Sequence, residues 1–289
     1  MLTGRNDVFL VGRELHVEAI RKRGLVLQGD LERTVRLPAF TEVTHVDPPE
    51  LLLITTKAYD TRNAITECRP WVTDMTAVLT LQNGIGNIEA LKEWKDVKAF
   101  GGTTTLGSTM ISPGKVRVSG LGRTVIGSET DPDFSKMIVK VFAESGIPTR
   151  YCGNMMSEIW GKAIVSACIN PLTAILRVPN GRLLESKAIS RMLLEVSQEC
   201  ERAARAHGID LPRSPMYPSV RAVARDTAEN LSSMLQDVMR GGRTEIDQIN
   251  GAFWRLSEEY GLEAPFNQTL TAMVQSLGVP SSRKVNIGT

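Results

Sequence analysis

The chain has 289 residues, of which 42% are hydrophobic, 5% aromatic and 23% charged, the length and composition of a soluble globular protein with two domains of ordinary size. A net charge of +2 provides no general attraction to nucleic acid or anionic lipid. No uninterrupted apolar stretch approaches the ~18 residues that cross a bilayer, and Met1–Asp7 has no signal-peptide core, so the expected compartment is the cytoplasm.

In the first half, Asp7–Val11, Leu51–Thr56 and Ala77–Leu81 are short apolar runs of buried-strand type, followed by helical patterns near 14–23, 60–70 and 86–94. Strands alternating with helices predict a parallel, doubly wound α/β sheet of the dinucleotide-binding, Rossmann type, with ligands at the carboxyl ends of the strands. Three such ends carry suitable chemistry: Gly12-Arg13, Thr56-Lys57 and Gln82-Asn83-Gly84-Ile85-Gly86. If Asp7–Val11 is the second strand of such a sheet, Arg13 stands where an arginine reads a ribose 2′-phosphate, favouring NADP over NAD.

The phosphate-cradling Gly-x-Gly-x-x-Gly belongs between the first strand and the first helix, and nothing between Met1 and Asp7 supplies it. The expectation is that roughly two dozen residues of a ~30-residue strand–helix–strand unit are missing. Three lost amide contacts to a charged group would remove roughly 5–9 kcal/mol of cofactor binding, or about three to six orders of magnitude in affinity. Further on, Gly101–Gly107, Pro113–Val118 and Arg123–Gly127 are expected to finish the sheet as a strand and a hairpin. A helix is expected from Asp131-Pro132 to about Glu144, and a last strand over Ile147–Tyr151.

Beyond Gly153 no strand pattern recurs, which sets a nucleotide domain at 1–153 and an all-helical C-terminal domain at 154–289. The latter is expected to bind substrate, with a homodimer through it left open and the active site in the cleft between the two. Its helices are expected near 157–177, 185–207, 218–240, 244–260 and 267–277.

The run Ser157–Pro171 is apolar on nearly every side, yet Lys162, Ser166 and Asn170 recur at i, i+4 and i+8 and so stack into one polar stripe. Lys162 either snorkels to the surface along its methylenes or is a desolvated amine of lowered pKa, poised to donate a proton. Pro171 must kink or end the helix, freeing a carbonyl for a ligand or for a neighbouring helix. Ala228–Asp237 reads as a helix with Asn230 and Ser233 among its small polar groups. After Gly241-Gly242 the helical pattern restarts, with Thr244 or a neighbour as N-cap. Glu245 is then either a first-turn acid favoured by the helix dipole or a carboxylate facing Lys162. Val178–Gly181 is a turn by composition, which by itself accounts for Asn180.

Cys68, Cys152, Cys168 and Cys200 are scattered without a Cys-x-x-Cys pair, and His16, His45 and His207 do not cluster with them. No metal is expected, and the cysteines read as reduced core residues.

Nine blocks follow one another in order: Val11–Arg13, Thr56–Ala58, Leu81–Gly84, Gly102–Thr105, Trp160–Lys162, Ile169–Ala174, Pro179–Gly181, Ser232–Asp237 and Arg243–Asp247. With this order and spacing the chain resembles the ketopantoate reductase (2-dehydropantoate 2-reductase) family over everything after its start. The resemblance implies reduction of 2-dehydropantoate to pantoate by NADPH, a step towards pantothenate and coenzyme A. It implies Lys162 as the group that protonates the developing alkoxide and Glu245 as a carboxylate near both substrate and cofactor. The implied substrate-binding set is Asn83, Ser166, Asn170, Asn180, Asn230 and Ser233, and the cofactor-binding set is Arg13, Lys57, Asn83, Ser108 and Glu245. Ser166 stands where the family often has asparagine, so a reductase of another branched 2-oxo acid remains an alternative. A non-catalytic scaffold that has lost its nucleotide site is a second one.

Overall fold

The computed structural model describes residues 1–43, 47–94 and 97–277. His45 lies outside the described residues. The chain forms two compact units, the first made of Met1–Thr56, Asp60–Gln82 and Asn87–Glu158, the second of Lys57–Tyr59, Asn83–Gly86 and Ile159–Thr289.

The first unit contains, in order, β1 (Leu10–Val11), α1 (Glu14–Arg23), β2 (Leu25–Gly29), β3 (Arg33–Val35), β4 (Ala39–Phe40), β5 (Leu51–Ile54), α2 (Thr61–Cys68), β6 (Ala77–Thr80), α3 (Asn87–Lys92), β7 (Lys98–Thr104), β8 (Ser108–Ser112), β9 (Lys115–Val118), β10 (Thr124–Gly127), α4 (Pro132–Glu144) and β11 (Thr149–Tyr151). Its main sheet has the order β11-β10-β7-β6-β5, parallel except where β10 runs antiparallel to β7. Every residue of β6 is buried, and alternation along it feeds two cores. Ala77 and Leu79 pack with Phe100, Ile126, Ile138 and Phe142 on one face, and Val78 packs with Ile54, Leu91 and Trp94 on the other. Helices on both faces are what make this sheet doubly wound. Asp131 caps α4 by accepting from the Phe134 N–H at 3.0 Å, with Pro132 in the first turn, as the sequence predicts.

Two expectations for this unit are corrected. The expected hairpin of Pro113–Val118 with Arg123–Gly127 does not form: β10 joins the main sheet beside β7, whereas β9 pairs with β8 in a separate four-stranded sheet of order β3-β2-β9-β8. The strands β2 and β3 of that sheet are not anticipated from the sequence, since Leu25–Leu27 is an apolar run of only three residues between Gly24 and Gln28, too short to show a period. β1 likewise stays outside the main sheet and pairs in parallel with the equally short β4. Among the described residues, β5 pairs with β6 alone.

The second unit holds all but the first turn of α5 (Met155–Leu176), then α6 (Lys187–Ala206), α7 (Tyr217–Asp226), α8 (Ser233–Met239), α9 (Asn250–Glu259) and α10 (Pro265–Leu277). α5 is long and apolar enough to cross a membrane by length and composition, but 61% of its most apolar window is buried inside the protein, as in a core helix. Pro171 does not end α5. Lacking an N–H, it leaves the Ala167 carbonyl without its helical donor, and the buried Asn250 donates to that carbonyl from Nδ2 at 2.9 Å. The same amide nitrogen donates to Asn267 Oδ1 at 2.9 Å, and Asn267 donates from Nδ2 to the buried Glu199 at 2.8 Å. Glu199 also accepts the Phe266 and Asn267 N–H groups, each at 2.9 Å, at the start of α10. A carboxylate there satisfies orphan donors and opposes the positive end of the helix.

Two helical expectations are also corrected. The 218–240 segment is two helices, because 227–232 is non-helical, with Ser232 capping α8 by accepting the Leu235 N–H. The 244–260 segment starts as a 3₁₀ turn over Ile246–Gln248 before α9. Cys168 and Cys200 are buried, with burial as the main cause raising both thiols, and burial also lifts Cys68 to about 11.

Candidate active site

Along α5, Ala163, Ile164, Ala167, Cys168 and Ile169 are buried while Lys162, Ser166 and Asn170 keep partial exposure. The polar stripe therefore runs along an otherwise buried helix. The Lys162 Nζ donates to Asn83 Oδ1 at 2.8 Å. Desolvation lowers this amine to about 8, with the negative charge of Glu245 pulling the other way.

Glu245 is 5% exposed. It is not a first-turn acid of α9. Its Oε1 accepts the Ala58 N–H at 2.9 Å, and its Oε2 lies 3.6 Å from Lys57 Nζ. Lys57 in turn donates to Asp237 Oδ2 at 2.6 Å. Burial alone would lower Lys57, but the charges of Glu245 and Asp237 outweigh it and raise its pKa. The two lysines thus share one carboxylate yet shift in opposite directions.

Close backbone approach fixes the two asparagine turns. Gly84 has φ of 86°, and a Cβ there would lie 2.5 Å from the Gln248 carbonyl oxygen, which also accepts the Ile85 N–H at 3.3 Å. A Cβ on Gly181 would lie 2.6 Å from Ala228 Cβ. Asn180 is buried, donates from Nδ2 to Thr227 Oγ1 at 2.9 Å and from its backbone to the Asn230 carbonyl at 3.0 Å, and leaves Oδ1 without a partner among the described residues. An unpartnered buried acceptor is costly and so suits a donor from outside the chain.

Asn230 lies in the non-helical 227–232 segment with its side chain exposed, and Ser233 is the exposed first residue of α8, beside Ser232, whose hydroxyl accepts from Thr173 at 2.7 Å. Among the described residues, no hydrogen bond links the side chains of Ser166, Asn170, Asn230 or Ser233 to the lysine–carboxylate cluster. In the first unit, Arg13 follows β1, is 84% exposed in its side chain, and pairs with Asp60 at 3.2 Å. Ser108 is the exposed first residue of β8, opposite Val118. Among the described residues, no group of three or more His, Cys, Asp or Glu could hold a metal ion.

Three contributors escape sequence reasoning: Asp237 on Lys57, Thr227 on Asn180, and Arg243, whose guanidinium lies 4.3 Å from the centre of the Tyr59 ring. Asp237 and Arg243 sit inside two of the sequence blocks, but a charged residue beside a helix end gives no sign of a partner 180 positions away.

An amine held near neutrality by burial, backed by an amide and a carboxylate, can deliver a proton to oxygen and stabilise negative charge developing there. Together with the parallel sheet of the first unit and the all-helical second unit, it defines a Rossmann-type oxidoreductase with a helical C-terminal domain. Residues 1–130 match the family described as ketopantoate reductase PanE/ApbA, and residues 154–278 match its C-terminal part. The 2-dehydropantoate 2-reductases of Pyrococcus horikoshii and Archaeoglobus fulgidus are 38% and 34% identical, over 93% and 94% of this chain and 89% and 90% of theirs. The crystal structure of a PanE/ApbA family ketopantoate reductase from Ralstonia eutropha superposes with a TM-score of 0.89 at 30% identity, covering 96% of this chain and 92% of that one. The ternary structure of D-mandelate dehydrogenase with NADH and anilino(oxo)acetate gives 0.87 at 25% identity over the same shares. The chain belongs to the ketopantoate reductase family.

Proposed function

We propose that the protein reduces 2-dehydropantoate to pantoate with NADPH, in the cytoplasm, on the path to pantothenate and coenzyme A. The observation that carries this reading is the desolvated Lys162 amine, hydrogen-bonded to Asn83 and electrostatically coupled to Glu245. Family membership and the NADH-bound neighbour support a nicotinamide cofactor. What supports the cofactor side of this reading is that Lys57 stays cationic and that Arg13 follows a parallel strand with its guanidinium exposed, although that strand, β1, pairs with β4 and not with the main sheet.

The bound cofactor supplies the hydride. Lys162 holds the proton for the ketone oxygen and, as an ammonium, stabilises the transition state more than the neutral ketone. Glu245 keeps that amine charged, and Asn83 fixes its direction. Asn180 offers its unpartnered Oδ1 to a substrate hydroxyl, and Ser166, Asn170, Asn230 and Ser233 are the further substrate-binding candidates. Ser108 is a cofactor-side candidate. We assign 1–153 to the dinucleotide and 154–289 to substrate binding and homodimer formation.

The direct test is NADPH oxidation with 2-dehydropantoate beside other branched 2-oxo acids. Turnover with highest kcat/KM for 2-dehydropantoate is expected, and a clear preference for another acid would overturn the assignment. Arg13→Ala is expected to weaken NADPH binding by about 10–150-fold, the loss of one charge-assisted contact, with NADH little changed. Equal losses for both cofactors would remove Arg13 from the phosphate-reading role.

A further inference from the structure

The geometry points to Asp237 as a positioning residue that governs the charge state of Lys162 without touching it, by holding Lys57 back from Glu245. Lys57 lies between two carboxylates, at 2.6 Å from Asp237 and 3.6 Å from Glu245. One oxygen of Glu245 is committed to the Ala58 N–H at 2.9 Å. The other lies 3.6 Å from Lys57 Nζ, beyond hydrogen-bond distance, and the charge of the same carboxylate opposes the desolvation of Lys162, whose amine donates to Asn83 at 2.8 Å in the loop that Gln248 holds through the Ile85 N–H. All four groups are at least partly buried, where Coulomb interactions are stronger than in water.

Within this set of four the charges balance while Asp237 is ionised, two ammonium groups against two carboxylates, and Arg243 adds a fixed positive charge that neither variant alters. Neutralising Asp237 leaves Lys57 with Glu245 as its nearest anion, and the loose pair closes. Lys162 then faces a more positive surrounding and releases its proton at lower pH. Removing the Lys57 charge does the reverse, freeing Glu245 for Lys162. Glu245 is the carboxylate acting on Lys162, and the other neighbouring cation, Arg243, is stacked on Tyr59. An aspartate that served only to anchor α8 would produce neither effect.

The consequence for turnover rests on Lys162 being the proton donor, but its titration can be read without turnover. The experiment follows the Lys162 Cε resonance against pH in protein carrying ¹³C-lysine, assigned by Lys162→Met. Asp237→Asn is expected to move the Lys162 midpoint down by about half to one pH unit and Lys57→Met to move it up by about as much, with Asp237→Glu restoring the parent value. No movement in either variant, or movement of both in one direction, overturns the coupling. Should Asp237→Asn fail to fold, the sign of the Lys57→Met shift decides the matter. A midpoint that moves while the alkaline limb of kcat stays in place sinks the role of Lys162 as the acid and leaves the coupling intact.

Discussion

Lys162→Ala is expected to lower kcat for 2-dehydropantoate reduction by about 10²–10⁴-fold, the contribution of a positioned general acid, with NADPH affinity retained. Hydride addition leaves negative charge on oxygen, and Asn83, the amide beside this lysine, cannot supply a proton in its place. The pH dependence has a fixed sign. Reduction needs the ammonium form, present below a pKa of about 8, so kcat falls as pH rises through that value, and oxidation of pantoate rises instead. Stability has the opposite dependence. Because folding lowers this pKa from 10.5 to about 8, the charged lysine opposes folding below pH 8. The folded state sheds the proton between about 8 and 10.5 while the unfolded chain keeps it, so stability rises with pH there. Lys162→Met is therefore expected to melt higher than the parent at pH 7, with the gain disappearing towards pH 10.5. Near-parent turnover by Lys162→Ala, or a flat pH profile across 7–9, would remove this lysine from the chemistry.

Glu199→Ala destabilises the helical unit by about 3–5 kcal/mol, since three donors lose their acceptor at ~1–3 kcal/mol each and partial hydration returns some of it. Glu199 receives the Phe266 N–H, the Asn267 N–H and the Asn267 amide, all at 2.8–2.9 Å and largely out of solvent. Glu199→Gln keeps one acceptor and costs about 1–3 kcal/mol. Urea denaturation followed by tryptophan fluorescence measures both. A loss under about 1 kcal/mol for the alanine variant would show that water replaces the carboxylate without penalty. The network matters to the candidate site because Asn250 joins it to the Ala167 carbonyl on α5, the helix that carries Lys162.

Much of the α/β half was legible because burial on both faces forces continuous apolar strands. Leu51–Ile54 and Ala77–Thr80 appear where such runs stand, α1 follows its periodicity, and α4 follows its Asp131 cap. The β2–β3 pair and the separate sheet of β8–β9 were not legible, since sheet membership depends on which edges meet and β2 pairs with β9 some ninety positions later. The stripe on α5 was visible from spacing alone. Glu245 could be read as a helix-end acid or as a partner of a lysine, and although it does precede the 3₁₀ turn Ile246–Gln248, its contacts with Ala58 and Lys57 were not legible. Pro171 announced a freed carbonyl but not its recipient, because Asn250 lies 83 positions from Ala167.

Local order along the chain was enough to settle the alternating build of the first half, the helical second half, the spacing of lysine, serine and asparagine on one helix, and the succession of blocks that places the chain in its family. Those properties follow from short-range sterics and the periodicity of burial, which neighbouring residues carry among themselves. Folding alone decided that Lys57 rests on Asp237, that Glu245 lies beside one lysine and acts on another, and that Glu199 closes a helix start. Charge pairing in a desolvated interior is set by distance in space, and distance in space is not encoded by position in the chain.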